Sequence, residues 1–468
     1  MKIFLQFLGA TRNVTGSSYL LEVNGKKILI DCGLYQEREL RARNWNPFPV
    51  DPKSVDFVLL THAHLDHCGL LPKFCREGFK GKIICTPPTE QIAKIVLLDA
   101  AHIQEEDAHF KKKRHEREGR KGPYPEIPLY TREDVEKVVP LFETIEYEEP
   151  FRIDNLINIS LHDAGHILGS AMIKIKINSG DSEIVILFSG DVGRWNKPII
   201  RDPSMFEMAD YIIVESTYGD RIHEDPSNIK NILSEIINST DKKGGNVIIP
   251  SFAVERTQEL LYYLSELLYE DKIPHLLTFV DSPMAISVTE VFKNNEKYFD
   301  EDMLRRTYSD NSPFYFSTLK LTKSSEESKM INHIRSSCII IAGSGMCTGG
   351  RIKHHLVHNI SRPECTILFI GYQARGTLGR EILKKPKEVR IHGKMHQVKA
   401  NITQINGLSA HADQSELLKW LSGFKLPPKK LFIVHGENDV SLKFADIIHE
   451  RYSWNVSVPQ YLDKFTLA

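Results

Sequence analysis

The 468-residue chain is predicted to be an α/β protein, on two observations. The first is a series of short runs rich in Ile and Val that end in Gly, Asp, His or Ser. In order they are KKILIDCG (26–33), DFVLLTHAH (56–64), SEIVILFSGD (182–191), DYIIVEST (210–217), GNVIIPSF (245–252), SCIIIAGSG (337–345), CTILFIGYQ (365–373) and KLFIVHGEN (430–438). Each has the length and β-branched content of a buried strand whose carboxyl end opens a loop. The second is the helical patterning between several of them, over 89–110 and 254–270. Ligands of such sheets gather beyond the carboxyl ends of strands, and the unusual polar residues of this chain stand at those ends. The opening stretch MKIFLQFLGATRNVTGSSYLLEV reads as a strand, since it lacks the long apolar region and cleavage site of a signal peptide.

A chain this long is expected to divide into two or three domains. Its 60 Lys and Arg balance 61 Asp and Glu, for a net charge of −1. Bulk charge therefore does not mark a nucleic-acid binder, and a polyanion site must come from local clustering. One cluster is KKKRHEREGRKGPYPEIP (111–128), with seven Lys/Arg against two Glu from Lys111 to Lys121. It reads either as a solvated helix end or as an electropositive lip. The seven cysteines form no CxxC pair, which fits reduced thiols in the cytoplasm. No apolar run approaches the roughly 18 residues of a membrane span, so no membrane partner is expected.

The densest chemistry is in LLTHAHLDHCGLLP (59–72), where His62, His64, Asp66 and His67 occupy six residues. His62 and His64, two apart and just past a strand, project to one side of an extended loop. Asp66 and His67 then begin a helix facing the same pocket. A mononuclear catalytic zinc takes three protein ligands and keeps an open position; four candidates favour two metals. A dinuclear site needs more ligands, including a bridging carboxylate. His166, in HDAGHILGS with Gly165 and Gly169 about it, and Asp191, ending FSGD, supply them, Asp191 as the carboxylate between the metals. His162 reads as structural. Asp31, ending ILID, is either a ligand-type carboxylate or an acceptor that orients a ligand His.

Asp31, the HxHxDH of 62–67, His166 in AGHILG and Asp191 in SGD resemble the four motifs of the metallo-β-lactamase fold, an αββα sandwich with its metals at one edge. The resemblance implies that one metal is held by His62, His64 and His166, the other by Asp66, His67 and a further ligand, with Asp191 shared. Downstream, EST-Y-G (215–219), IPSFAVERTQELLY (249–262), GSGMCTGGR (343–351), GYQARGTLGR (371–380), LSAHAD (408–413) and VHGEND (434–439) resemble the β-CASP group. In that group, which includes the nuclease subunit of the cleavage and polyadenylation specificity factor, an α/β nucleic-acid-binding domain is inserted into the lactamase fold. The implied division is a lactamase domain from residues 1–210 and 396–468 with a β-CASP insert over 211–395. Glu215 matches the group's motif A, His411 motif B and His435 motif C, and His435 would complete the second metal's ligands. RNA-cutting members carry His at motif C where DNA-repair members carry an apolar residue, so the implied partner is single-stranded RNA. A homodimer and other RNA-processing proteins are the further partners the group suggests.

The implied activity is a ribonuclease using two zinc ions, with manganese as the alternative metal, and cleaving endonucleolytically. A 5′-to-3′ exoribonuclease resembling RNase J and a non-catalytic scaffold subunit are the competing readings. Phosphodiester hydrolysis needs a nucleophile, charge neutralisation at phosphorus and a proton for the leaving oxygen. Two metals about 3.5–4 Å apart supply the first two. His411, not needed as a ligand, is free to act as general acid. Glu215 would fix its tautomer and favour the imidazolium, and Asp66 stands with them at the reacting centre. Ser409, Ser251 and Arg256 are candidates to hold RNA phosphates, the last two at a strand–helix junction where anions are favoured. GSGMCTGGR is no P-loop, because Arg351 and Ile352 stand where Lys and Ser/Thr are needed.

Overall fold

The computed structural model describes residues 1–119, 122, 124–180, 182–224, 228–308, 312–334, 336–374 and 376–467. Arg120, Lys121 and Pro123 of the basic stretch and Arg375 of GYQARGTLGR lie outside the described residues. The chain forms two compact units. One comprises Met1–Trp195, Asp202–Ile222 and His411–Ala468, the other Asn196–Arg201 and His223–Ala410.

The first unit contains two seven-stranded sheets. The first runs in the order Lys464–Thr466, Ile3–Phe7, Tyr19–Val23, Lys26–Ile30, Phe57–Leu59, Lys82–Cys85, Phe142–Thr144. Its first four strands pair antiparallel and the rest parallel. The opening stretch thus makes two strands rather than one. Ala10, Arg12 and Gly16 take positive φ between them, which ends the pleat. The second sheet runs Val456–Ser457, Lys430–Val434, Tyr211–Glu215, Glu183–Phe188, Ala171–Asn178, Ile157–Asp163, Phe151–Arg152. Alternation of buried and half-buried residues in Ile3–Phe7 and Ile157–Asp163 turns one face of each sheet inward. Ile3, Leu5 and Phe7 share a core with Ile159, Ile173, Ile186 and Phe432. The rings of Phe7 and Phe432 lie 5.1 Å apart. On the far face of the second sheet, helices Gln414–Leu421 and Asn438–Tyr452 bury Trp420, Phe444 and Ile448. Helix Pro87–Glu118 packs on helix Arg132–Val138 and strand Phe142–Thr144 of the first. The result is an αββα sandwich.

The second unit is a six-stranded, wholly parallel sheet in the order Leu319–Leu321, Leu277–Asp281, Cys338–Ala342, Val247–Pro250, Thr366–Ile370, Asn401–Ile405. Every residue of its three central strands is buried, as a parallel sheet covered on both faces requires. The compact insert differs in extent from 211–395 for a topological reason. Tyr211–Glu215 pairs with Glu183–Phe188 and Lys430–Val434 of the first unit. Asn401–Ile405 pairs with Thr366–Ile370 of the second. Among the described residues no helix is long and apolar enough to cross a membrane.

Candidate metal centre

The four candidate metal-binding segments, residues 62–67 and those around His166, Asp191 and His435, lie in the first unit, at strand ends. Past Phe57–Leu59 the chain stays extended through His62 and His64; His64, at φ −69° and ψ 148°, caps a single helical turn, Leu65–Cys68. Asp66 and His67 therefore face the same side as the two histidines before them. Backbone bonds from Ser17 to Asp66 and from Cys32 to His67 fasten this turn. A Cβ on Gly33 would lie 1.7 Å from the Asp66 carbonyl oxygen, so only glycine permits that approach. His166 stands in a loop closed by Ser170, whose hydroxyl accepts from the His166 and Ile167 amides. Gly193, just past Asp191, meets Gly165 equally closely: a Cβ there would be 1.7 Å from the Gly165 oxygen. That contact brings the Asp191 and His166 segments together.

The side chains converge as two sets of donors. His62 Nε2 lies 3.0 Å from His64 Nδ1 and 3.4 Å from Asp191 Oδ2. His166 Nε2 lies 3.2 Å from His64 Nδ1 and 3.6 Å from the same Asp191 oxygen. In the other set His435 Nε2 is 3.2 Å from His67 Nε2, 3.5 Å from Asp66 Oδ2 and 3.6 Å from Asp191 Oδ1. His67 Nε2 to Asp191 Oδ1 is 3.3 Å. Ligands at 2.0–2.1 Å in a tetrahedron stand about 3.3 Å from one another, and these separations cluster about that value. Asp191 is 2% exposed. It directs one oxygen at each set, and its Oδ1 has no hydrogen-bond partner among the described residues. Buried lone pairs facing lone pairs are costly unless a cation lies between them, so the residues fit a pair of metal ions.

Neighbouring groups fix which nitrogen each ring presents. His67 Nδ1 lies 2.7 Å from Asp31 Oδ2, and Asp31 also accepts from the Thr61 amide at 2.8 Å. Asp31 is thus placed to orient the His67 ring, and among the described residues no candidate donor set contains it. The Thr61 hydroxyl is 3.1 Å from His62 Nδ1, and Thr217 Oγ1 is 3.0 Å from His435 Nδ1. Thr61 and Thr217 were not singled out by sequence, although both stand in quoted strand-end runs. Asp31 and His435 take positive φ, +59° and +50°, a conformation rare for non-glycine residues and found at functional sites.

Burial and neighbouring imidazoles lower His62 well below the usual histidine range, and burial takes His64 down to about 4. Both rings are therefore neutral donors. Burial opposes ionisation of Asp66, but the His435 hydrogen bond and nearby rings hold it down to about 2.

Glu215 ends strand Tyr211–Glu215 fully buried, and Oε1 accepts from the Val192 amide at 2.7 Å. The same oxygen is 3.1 Å from His411 Nδ1, and Asp191 Oδ2 is 3.9 Å from that nitrogen. Burial pulls the His411 pKa down, yet Glu215 and Asp191 outweigh it and bring it up to about 9. His162 is apart from this cluster, 2.9 Å from Ser160 Oγ and packed on Phe206.

Ser251, Arg256 and Ser409 belong to the second unit. The Ser251 hydroxyl donates to Phe252 O and accepts from Thr257 Oγ1, both at 3.1 Å. Arg256 opens helix Arg256–Tyr269 and donates to Ile370 O at 3.4 Å. In GSGMCTGGR, Ser344 Oγ accepts from the Thr348 and Gly349 amides, so those donors close a tight turn. Arg351 instead reaches Asp281 Oδ1 at 2.6 Å.

Comparison with known proteins agrees with this geometry. Residues 11–211 match the metallo-beta-lactamase superfamily, 257–382 the Beta-Casp domain and 395–459 the Zn-dependent metallo-hydrolase RNA specificity domain. Ribonuclease TTHA0252 of Thermus thermophilus is 38% identical over 440 residues, 94% of each chain. Transcription termination factor FttA of Methanocaldococcus jannaschii is 31% identical over 98% of this chain and 71% of its own. A solved structure of a protein of unknown function from Enterococcus faecalis V583 shares the fold at TM-score 0.56 and 11% identity, over the whole of both chains. With three domain families matched in order and a relative aligned over nearly its full length, this chain belongs to the β-CASP branch of the metallo-β-lactamase superfamily and is a metal-dependent hydrolase.

Proposed function

We propose that the protein is a ribonuclease that uses two zinc ions to hydrolyse single-stranded RNA endonucleolytically, in the cytoplasm. The observation that carries this reading is Asp191, whose two oxygens each face a separate set of three further donors. The RNA specificity family over 395–459 and the ribonuclease from Thermus thermophilus support RNA as the substrate. Free cysteines throughout the chain fit a reducing compartment.

In this reading His62, His64 and His166 hold one ion, Asp66, His67 and His435 the other, and Asp191 joins both. Such a pair supplies Lewis acidity and activated water at neutral pH. The other demands fall on the chain's own residues. Asp31 and Thr217 hold the rings of His67 and His435 so that each presents Nε2. Glu215 binds His411 Nδ1, which keeps the ring protonated and leaves Nε2–H to give its proton to the departing ribose oxygen. Ser409, Ser251 and Arg256 are read as phosphate contacts.

The test uses one RNA labelled at its 5′ end and, separately, at its 3′ end, incubated with zinc-loaded protein. Internal fragments from both labels are expected. Mononucleotides released from one end would replace the endonuclease reading with an exonuclease, and intact RNA would refute both.

A further inference from the structure

Helix Pro87–Glu118 is a continuous 32-residue element whose two ends differ in character. Its N-terminal end adjoins the metal centre: Thr86 and Thr89 hydroxyls both donate to the Gly169 carbonyl, at 2.6 and 2.8 Å, three residues beyond His166. Its C-terminal end carries Lys111, Lys112, Lys113, Arg114 and Arg117, all exposed, within seven residues. In a chain of balanced charge this is a strong local concentration. Glu118 pairs with Arg114 at 3.0 Å and Asp107 with Lys111 at 3.8 Å. Lys112, Lys113 and Arg117 have no ion pair among the described residues. Phe110, just before the run, is 67% exposed.

This end is built into the fold. Glu126 lies 2.5 Å from His115 Nδ1, Gln104 accepts from the Leu129 amide, and Glu105 pairs with Arg132 at 3.0 Å. The Tyr124 ring stacks on Trp45 at 6.2 Å and 12°. The chain thus returns along the helix and braces it as an arm of the first unit.

We propose that this arm binds single-stranded RNA flanking the cleavage point. The inference rests on the ribonuclease reading and extends it to substrate length. Unpaired cations beside an exposed aromatic ring suit a strand of phosphates with stackable bases, the pairing that single-strand binders use. An α-helix rises about 1.5 Å per residue, so Lys111 lies roughly 36 Å along the helix from Pro87. At about 3.4 Å per stacked nucleotide, that distance is roughly ten nucleotides. The arm therefore reads only RNAs that reach well past the scissile bond.

The test compares the full-length protein with a Lys112→Ala/Lys113→Ala/Arg117→Ala variant, alanine being the best helix former. Anisotropy of a labelled 30-mer and 8-mer RNA is measured on the zinc-loaded proteins with His411→Ala added to both, where hydrolysis is slowed, and cleavage is measured in zinc without that change. For the 30-mer, the variant's salt dependence, as log Kd against log salt, should be shallower by about 2, at about 0.7 per lost phosphate contact. Its affinity at low salt should fall about tenfold or more, while the 8-mer binds both proteins alike. Equal affinity and salt slope for the 30-mer, whether the arm is merely solvated or serves a protein partner, would overturn the proposal. So would an equal loss on both lengths. Failure of the unaltered protein to cleave RNA in zinc would instead overturn the ribonuclease reading, and the binding result would still judge the arm.

Discussion

Nδ1 of His67 lies 2.7 Å from Oδ2 of Asp31, a buried carboxylate anchored in turn by the Thr61 amide. The bond decides that Nε2 is the nitrogen His67 turns toward Asp191 and His435. Asp31→Asn keeps the shape and removes the charge that makes His67 a strong donor. Metal affinity of the Asp66–His67–His435 set should fall about 10–100-fold, as orienting partners of metal ligands typically show. Metal content after dialysis against graded chelator checks this, and retention equal to the unaltered protein would remove Asp31 from the site.

Glu215 and His411 make a second such pair, with a different consequence. Glu215 raises the pKa of His411, so an acid role is available below that pKa and lost as pH rises through it. Glu215→Gln removes the charge and moves this alkaline limb to lower pH. Two cations on the neighbouring donors also pull it down from about 9. His411→Ala should slow cleavage about 10²–10⁴-fold with metal content unchanged. Loss of metal in His411→Ala, or a limb that does not move in Glu215→Gln, would refute the acid assignment.

Much of this cluster was legible because its candidate donors stand just past strand ends, and the sheets bring those ends together. HxHxDH is local, and one turn of helix after an extended loop accounts for its four donors facing one way. The orienting residues were harder to find. Thr61 and Thr217 are ordinary threonines until the register of Tyr211–Glu215 beside Lys430–Val434 sets Thr217 beneath His435. Asp281 gave no signal either, because its partners are distant in sequence: Ser328 comes from one crossover of the second unit, Arg351 and His355 from the next. The compact insert's limits depend on which sheet each strand joins, and apolar content alone does not encode that.

Asp281 supports a prediction about stability. It is fully buried, with Ser328 Oγ and His355 Nε2 each 2.6 Å from Oδ2, and Arg351 Nη1 2.6 Å from Oδ1. Burial opposes its ionisation, but the hydrogen bonds prevail and hold its pKa below the ordinary aspartate value. A carboxyl so depressed stabilises the fold above the unfolded-state pKa of about 3.9 and loses that contribution as pH falls through the folded value. His355→Ala leaves the carboxylate short of a donor and should cost about 1–3 kcal/mol at neutral pH. The cost should shrink toward acid once Asp281 is protonated. Denaturant titrations at about pH 7 and pH 3 check this; a cost that is the same at both would locate the effect in packing.

In the proposed site His435 combines a ligand role with a backbone one, and two substitutions separate them. Its amide donates to Ala10 O at 2.8 Å and its φ is +50°, a conformation that Asn tolerates and β-branched residues resist. His435→Asn should therefore fold with near-normal stability while losing a donor to one ion. Metal content should drop from two ions toward one, and RNA cleavage should fall by more than the 10–100-fold typical of an orienting partner. His435→Val should show the same metal loss and a further destabilisation of about 1–3 kcal/mol from backbone strain. Metal analysis and denaturation on the two variants give the answer together. Two ions retained in His435→Asn would show that Asp66, His67 and Asp191 suffice without it. Equal stability of the two variants would show that the backbone at 435 relaxes freely.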